Sequence, residues 1–176
     1  MTSDKYLLRK RLLSKTPPDD EIEKKILLKI YDLVVAYNPK ILGIYIAQKN
    51  EFDISSLMLK FPKMRLAAPK ILKDKIIFVG YNIDTILQKN EIFPNYYEPS
   101  STHKVVPNII LVPGIAFDLE GYRLGRGRGD YDKYLLSHNV IKIGLCSSHN
   151  LIQRLPREEH DIKMDYIVTE NTIIKF

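Results

Sequence analysis

Apolar positions change their period once along the chain, at Pro39. Before it, residues 3–15 carry Leu7, Leu8, Leu12 and, less regularly, Leu13 on one side, with Lys5, Arg9 and Lys10 elsewhere. That spacing predicts an amphipathic helix. A second helix follows the entry "TPPDDE", where Thr16 is the expected cap and acids fill the first turn. Its Ile22, Ile26, Ile30, Leu33 and Val34 recur at helical spacing and form a core-facing stripe.

After Pro39 the apolar runs are short and branched: "ILGIYI" (41–46), "MRLAA" (64–68), "KIIFVGY" (75–81), "NIILVP" (108–113), "VIKIGLC" (140–146) and "DYIVT" (165–169). These are expected strands, several buried on both faces. Helical segments are expected near 53–61, 84–90, 130–138 and 150–155. Alternation of this kind predicts an α/β fold, a mainly parallel sheet with helices on both faces. Residues 91–107 contain Pro94, Pro99 and Pro107 without any period and are expected to be a long surface connection. No repeat or linker divides the chain, so residues 1–176 are expected to form a single domain.

Composition narrows the class. At 176 residues, 45% hydrophobic and 27% charged, the chain suits an ordinary globular domain with a real core. The net charge of +6 favours an anionic partner, whether nucleic acid, nucleotide, phosphate or a polyglutamate tail. The one cysteine, Cys146, sits in an apolar run and is expected to be a buried structural residue. Without CxxC or paired Cys/His spacing, a zinc site is not expected. The opening segment carries charges throughout, unlike a signal peptide, and no apolar run reaches membrane-spanning length; a cytoplasmic protein is expected.

The candidate chemistry lies in "RLGRGRGDYDKYL", Arg123 to Leu135. In an open parallel sheet, ligands sit beyond the carboxyl ends of the strands, and this loop follows one expected strand closely. Gly125, Gly127 and Gly129 allow backbone amides to approach an anion, and a helix start follows. Arg123, Arg126 and Arg128 are guanidinium donors suited to phosphate or carboxylate. Asp132 conflicts with an anion site unless a divalent cation lies between. No GK[ST] follows, so the loop is not a Walker A motif. Taken alone, it also reads as a solvated turn.

The surrounding stretch, "LVPGIAFDLEGYRLGRGRGDYDKYL", resembles the signature of 5-formyltetrahydrofolate cyclo-ligases, also called methenyltetrahydrofolate synthetases. Pro113, Gly114, Ala116, Phe117, Asp118, Gly121, Arg123, Leu124, Gly125, Gly127, Gly129, Tyr131, Asp132 and Leu135 fit that pattern. Further blocks fit in order: Lys5 and Arg9 in "KYLLR", Glu51 in "YIAQKNEFD", the pair Glu98–Pro99, "KIGLC", and "LPREEHDIKMDYIVTE" with a shifted residue near Glu158.

The resemblance implies a fold like that of sugar-phosphate isomerases and CoA-transferases. It implies ATP- and Mg2+-dependent closure of 5-formyltetrahydrofolate to 5,10-methenyltetrahydrofolate, with release of ADP and phosphate. It places Lys5, Arg9 and the loop residues Arg123, Leu124, Gly125, Arg126, Gly127, Arg128, Gly129 and Tyr131 around ATP, with Arg123, Arg128 and Tyr131 as the candidate catalytic set. Ile46, Glu51, Arg126, Gly127, Arg128, Gly129 and Asp130 fall at substrate-binding positions, and Asp132 and Asp161 at metal-binding ones. Asp118 is expected to orient the loop and His160 to brace the Asp161 segment. The implied partners are small molecules, ATP and a folate that can carry a polyglutamate tail. The implied protein is a monomer without nucleic-acid or membrane partners.

Two positions depart from the family. Asp130 stands where an aromatic residue is usual, and "SSHN" (147–150) where glutamine is common. An unpaired like charge 5 Å from a phosphate costs about 3 kcal/mol at an effective dielectric of about 20. Asp130 is therefore expected both to cap the next helix and to pair with Arg126 or Arg128. Three other readings compete: an isomerase or CoA-transferase relative, for which no acid, base or thioester glutamate is evident; a folate- or nucleotide-binding module with weakened catalysis; and an RNA-binding protein, which the lack of interleaved aromatics disfavours.

Overall fold

The computed structural model describes residues 3–13, 19–48 and 51–176. Its elements, in order, are α1 (Ser3–Leu13), α2 (Asp20–Tyr37), β1 (Ile41–Gly43), α3 (Leu57–Lys60), β2 (Arg65–Ile71), β3 (Ile76–Tyr81), β4 (Leu87–Lys89), β5 (Tyr97–Pro99), β6 (Ile109–Pro113), β7 (Ala116–Asp118), β8 (Arg123–Leu124), α4 (Asp130–Leu136), β9 (Ile141–Leu145), a short 3-10 turn (Ser148–Asn150), β10 (Leu151–Ile152), β11 (Tyr166–Val168) and β12 (Ile173–Lys175). Among the described residues, the main sheet has seven strands in the order β12-β11-β9-β6-β1-β2-β3. The run from β11 to β2 is parallel, and the two edge strands are antiparallel.

Alternation along the parallel strands divides the core into two layers, because successive side chains leave opposite faces. Ile109 and Leu111 of β6 share a core with Ile26, Ile30 and Val34 of α2. Ile110 and Val112, one position on, share the other with Tyr134 and Leu135 of α4. The expected mainly parallel sheet with helices on both faces is therefore observed. Cys146 is buried in the second layer, where desolvation raises its thiol pKa and removes it from chemistry.

A third small core joins Leu12 of α1 to Ala116, Leu124 and Leu155 around the sheet β10-β7-β8. The inward face of α1 differs from the expected one. Leu7 is exposed, whereas Lys5 is buried and Leu8 and Arg9 are half-buried, so positions 5, 8, 9 and 12 share one face. Two basic residues thus occupy an inward stripe, because acids and a backbone carbonyl await them there.

Other expectations are corrected. The cap of α2 is Asp19, whose side chain accepts from the Glu21 amide; Thr16 lies outside the described residues. The helix expected over 53–61 is a single turn, α3. The segment near 84–90 is no helix: Asn82 and Thr85 close a side-chain-bonded turn, and β4 pairs with β5 in a hairpin. That hairpin gives structure to the expected surface connection. At 150–155 a short turn leads into β10, and β12 was not anticipated.

Candidate active site

A cavity of about 500 Å³ lies beyond the carboxyl ends of β1, β2 and β6. Its floor is formed by Tyr45 and Ile46 after β1, by Pro69 and Ile71 of β2, and by Pro113 to Ile115 at the end of β6. The glycine-rich loop forms one wall, and α1 together with residues 158–161 forms another.

The loop is held at its base by Asp118. This fully buried carboxylate accepts from the backbone amides of Glu120 (3.0 Å), Tyr122 (2.9 Å) and Leu155 (3.0 Å), and from Arg157 Nη2 (3.3 Å). It ties β7 and β8 to the later segment, which is the orienting role expected for it.

Arg123 then folds back over the loop. A Cβ at Gly125 would fall 2.6 Å from its Nη1, so a side chain there would displace the guanidinium. Arg123 Nη2 donates to Asp132 Oδ2 at 2.7 Å in a nearly buried pair. Among the described residues its Nε has no hydrogen-bond partner, and neither has the buried Tyr131 hydroxyl. Burial first, and then the charge of Glu51, raises the pKa of Tyr131, so its hydroxyl stays a proton donor. Gly129 reaches φ 69° at the start of α4, a left-handed turn that suits glycine.

Two further ion pairs lie among the residues that line the cavity. Arg126 Nε donates to Glu51 Oε1 at 2.9 Å, joining the loop to the segment after β1. Arg128 Nε donates to Asp130 Oδ2, and its guanidinium carbon lies 3.6 Å over the Phe93 ring. Asp130 therefore pairs with one of the two arginines expected for it. It does not cap the helix: it is the first residue of α4, and Gly129 holds the cap position. With only seven residues and two acids in its first turn, α4 adds little dipole to the site.

On the opposite wall, Lys5 Nζ contacts Asp161 Oδ2 at 2.6 Å and Glu158 Oε2 at 3.1 Å. Arg9 Nε donates to the Gly125 carbonyl at 2.7 Å, and its buried Nη1 has no hydrogen-bond partner among the described residues. Burial lowers the Arg9 pKa, against the opposing charges of Glu158 and Asp161. The Asp161 segment is braced by Lys5 and by the Glu158 amide, which donates to Asp161 Oδ2. The expected brace, His160, is exposed and lies 3.6 Å from Glu158.

Of the candidate residues, Lys5, Arg9, Ile46, Glu51, Arg123, Gly125, Arg126, Gly127, Arg128, Gly129, Asp130, Tyr131, Asp132 and Asp161 all line this one cavity. Leu124 does not; it is buried in the third core. Sequence reasoning missed Glu158, Tyr45, Tyr96 and Tyr97, which also line the cavity. Only Glu158 left a trace, as the shifted residue in the last block.

Asp132 and Asp161 are close in the fold, since the Ile162 amide points to Asp132 Oδ1 at 3.5 Å. Glu158, His160 and Asp161 offer ligand atoms within 4.8 Å of one another. Hard oxygen donors beside unpartnered guanidinium and hydroxyl groups suit a divalent cation carried with a polyanion.

A parallel sheet with an arginine- and carboxylate-ringed cavity at its carboxyl edge defines a small-molecule enzyme of the α/β class. The comparisons give the family. A model of the 5-formyltetrahydrofolate cyclo-ligase family matches residues 3–170. The 5-formyltetrahydrofolate cyclo-ligase of Mycoplasma pneumoniae is 31% identical over 95% of this chain and 99% of its own length. That of Escherichia coli K12 is 30% identical over 56% of this chain and 57% of its own. The solved structure of the Aquifex aeolicus 5,10-methenyltetrahydrofolate synthetase superposes with a TM-score of 0.84 at 30% identity, covering 97% of this chain and 92% of that one. The chain belongs to the 5-formyltetrahydrofolate cyclo-ligase family.

Proposed function

We propose that this protein uses ATP and Mg2+ to close 5-formyltetrahydrofolate to 5,10-methenyltetrahydrofolate, releasing ADP and phosphate. The observation that carries the reading is convergence in one cavity: Lys5 meets Asp161 across 156 positions of sequence, beside Glu51 and the loop.

The chemistry defines the task. The N5-formyl group is an amide with a carbonyl dulled by resonance, and ring closure must expel its oxygen. Transfer of the γ-phosphoryl group to that oxygen makes it a leaving group; N10 then attacks the carbon and phosphate departs with the oxygen. The protein's work is positioning and charge stabilisation. Arg9 Nη1 and Arg123 Nε are preplaced donors for the polyphosphate. Glu51, at the end of its β1 segment, accepts from the adjacent N–H donors of the pterin edge once Arg126 yields. Tyr131 donates its hydroxyl toward the reacting end without ionising. Asp132 and Asp161 would hold Mg2+, which supplies charge neutralisation on the transferring phosphoryl oxygens.

The same reading includes a cytoplasmic monomer acting on small molecules, without nucleic-acid or membrane partners. Among the described residues, no helix is long and apolar enough to cross a membrane.

Purified protein with ATP, Mg2+ and 5-formyltetrahydrofolate is expected to generate the near-ultraviolet absorbance of the conjugated methenyl product. Absence of product above a control lacking ATP refutes the activity.

A further inference from the structure

Arg128 lines the cavity and Phe93 does not, although the Arg128 guanidinium carbon lies 3.6 Å above the Phe93 ring. The arginine therefore covers the phenyl ring and turns its remaining surface to the cavity. Its Nε is tied to Asp130 Oδ2, which fixes the side chain at a second point.

Phe93 is itself anchored from the core. Buried Asn90 accepts with Oδ1 from the amides of Phe93 (2.8 Å) and Ile92 (3.0 Å). Its Nδ2 donates to the Ile71 carbonyl (2.8 Å) and to Glu98 Oε2 (2.6 Å). Glu98, also buried, accepts from the Ile71 amide with the same oxygen at 3.0 Å. A continuous polar chain thus runs from β2 of the main sheet, through the β4–β5 hairpin, to the backbone of Phe93. A buried carboxylate and amide are costly unless fully bonded. Here they hold a loop whose aromatic residue meets the cavity-lining Tyr96 edge-on and lies beneath Arg128.

We infer that Arg128 is a stacking platform: held over the Phe93 ring and tethered by Asp130, it offers its free face to a planar, nitrogen-rich heteroaromatic ring in the cavity. A guanidinium is planar, delocalised and weakly hydrated, so it stacks on rings where an ammonium cannot. The platform accounts for Asp130. The acid is the tether of the cation. That the ring belongs to a pterin or an adenine rests on the proposed function; the platform itself rests on the geometry.

The test separates ring from phosphate. Wild-type protein, Arg128→Lys and Phe93→Leu are titrated calorimetrically, with Mg2+ present, against tripolyphosphate, ADP and 5-formyltetrahydrofolate. Arg128→Lys keeps the charge and loses the plane. It is expected to leave tripolyphosphate affinity within about twofold and to weaken at least one ring-bearing ligand about tenfold. Phe93→Leu is expected to weaken the same ligand by a smaller factor. A loss confined to ADP identifies the ring as adenine, and a loss for the folate identifies it as pterin. Tripolyphosphate and ADP weakened equally, with the folate unchanged, overturns the inference in favour of a phosphate contact. So does unchanged affinity for both ring ligands. Thermal unfolding of each variant shows whether the fold is intact. Wild-type protein that binds the rings without turnover refutes the proposed activity and leaves the platform standing.

Discussion

At the residue scale, the acids of this site are held by named bases, and their removal has separable effects. Asp132→Asn strips the carboxylate from a nearly buried Arg123. Its turnover is expected to fall more than tenfold, and its stability in urea by about 1–3 kcal/mol, since a charged donor loses its charged acceptor. Unchanged turnover would remove Asp132 from the proposed metal site. Asp118→Ala is expected to cost about 3 kcal/mol or more, because three amides and a guanidinium lose one buried acceptor. Asp130→Tyr releases Arg128 from its tether, so the rate under substrate-limited conditions is expected to fall. A faster variant would mark Asp130 as a hindrance to catalysis. Sequence patterning gave the loop its arginines, glycines and acids, and the resemblance gave them roles. It could not pair them: nothing in "RGRGDYD" tells Arg126 to reach Glu51 and Arg128 to reach Asp130, a choice made by the direction of the chain after Gly125 and Gly127.

At the element scale, α1 is a helix whose inward stripe reads Lys5, Leu8, Arg9, Leu12. Leucine counting alone points to another face, since it assumes that bases face water. The error has a physical source: the acids that meet Lys5 belong to a segment far along the chain. Leu12→Ala is expected to cost about 2–4 kcal/mol by opening the small third core, measurable by chemical unfolding. The clamp between α1 and the late segment also carries a pH signature. A hydrogen bond from Lys5 lowers the Glu158 pKa from its ordinary 4.5, with burial opposing. A depressed carboxylate pKa stabilises the fold fully above 4.5 and loses that contribution as pH falls through the lower folded value. The difference in melting temperature between wild type and Glu158→Gln is therefore expected to be constant near neutrality and to shrink below pH 4.5. A difference that grows on acidification would contradict the pairing. The hairpin β4–β5 was invisible to periodicity for a different reason. Its strands are three residues each and mostly exposed, and buried Asn90 and Glu98 are polar.

At the scale of the whole molecule, the parallel sheet was the most legible feature, because its buried strands are continuous apolar runs that no helix stripe explains. Its strand order was not legible, nor was the late strand β12, whose residues are largely exposed. The location of the cavity follows from the sheet, and its chemical character from segments the sheet brings together. The contact between Lys5 and Asp161 spans 156 positions, so this wall closes only after nearly the whole described chain is in place. Loop closure over such a distance is among the slowest contacts a fold of this size must make. During synthesis, a ribosome that has released only the first strands presents a sheet without a ligand site. Binding competence therefore emerges last, and no ligand of this cavity can template the early stages of folding. A ligand titration on refolding chains would then count only molecules that have finished.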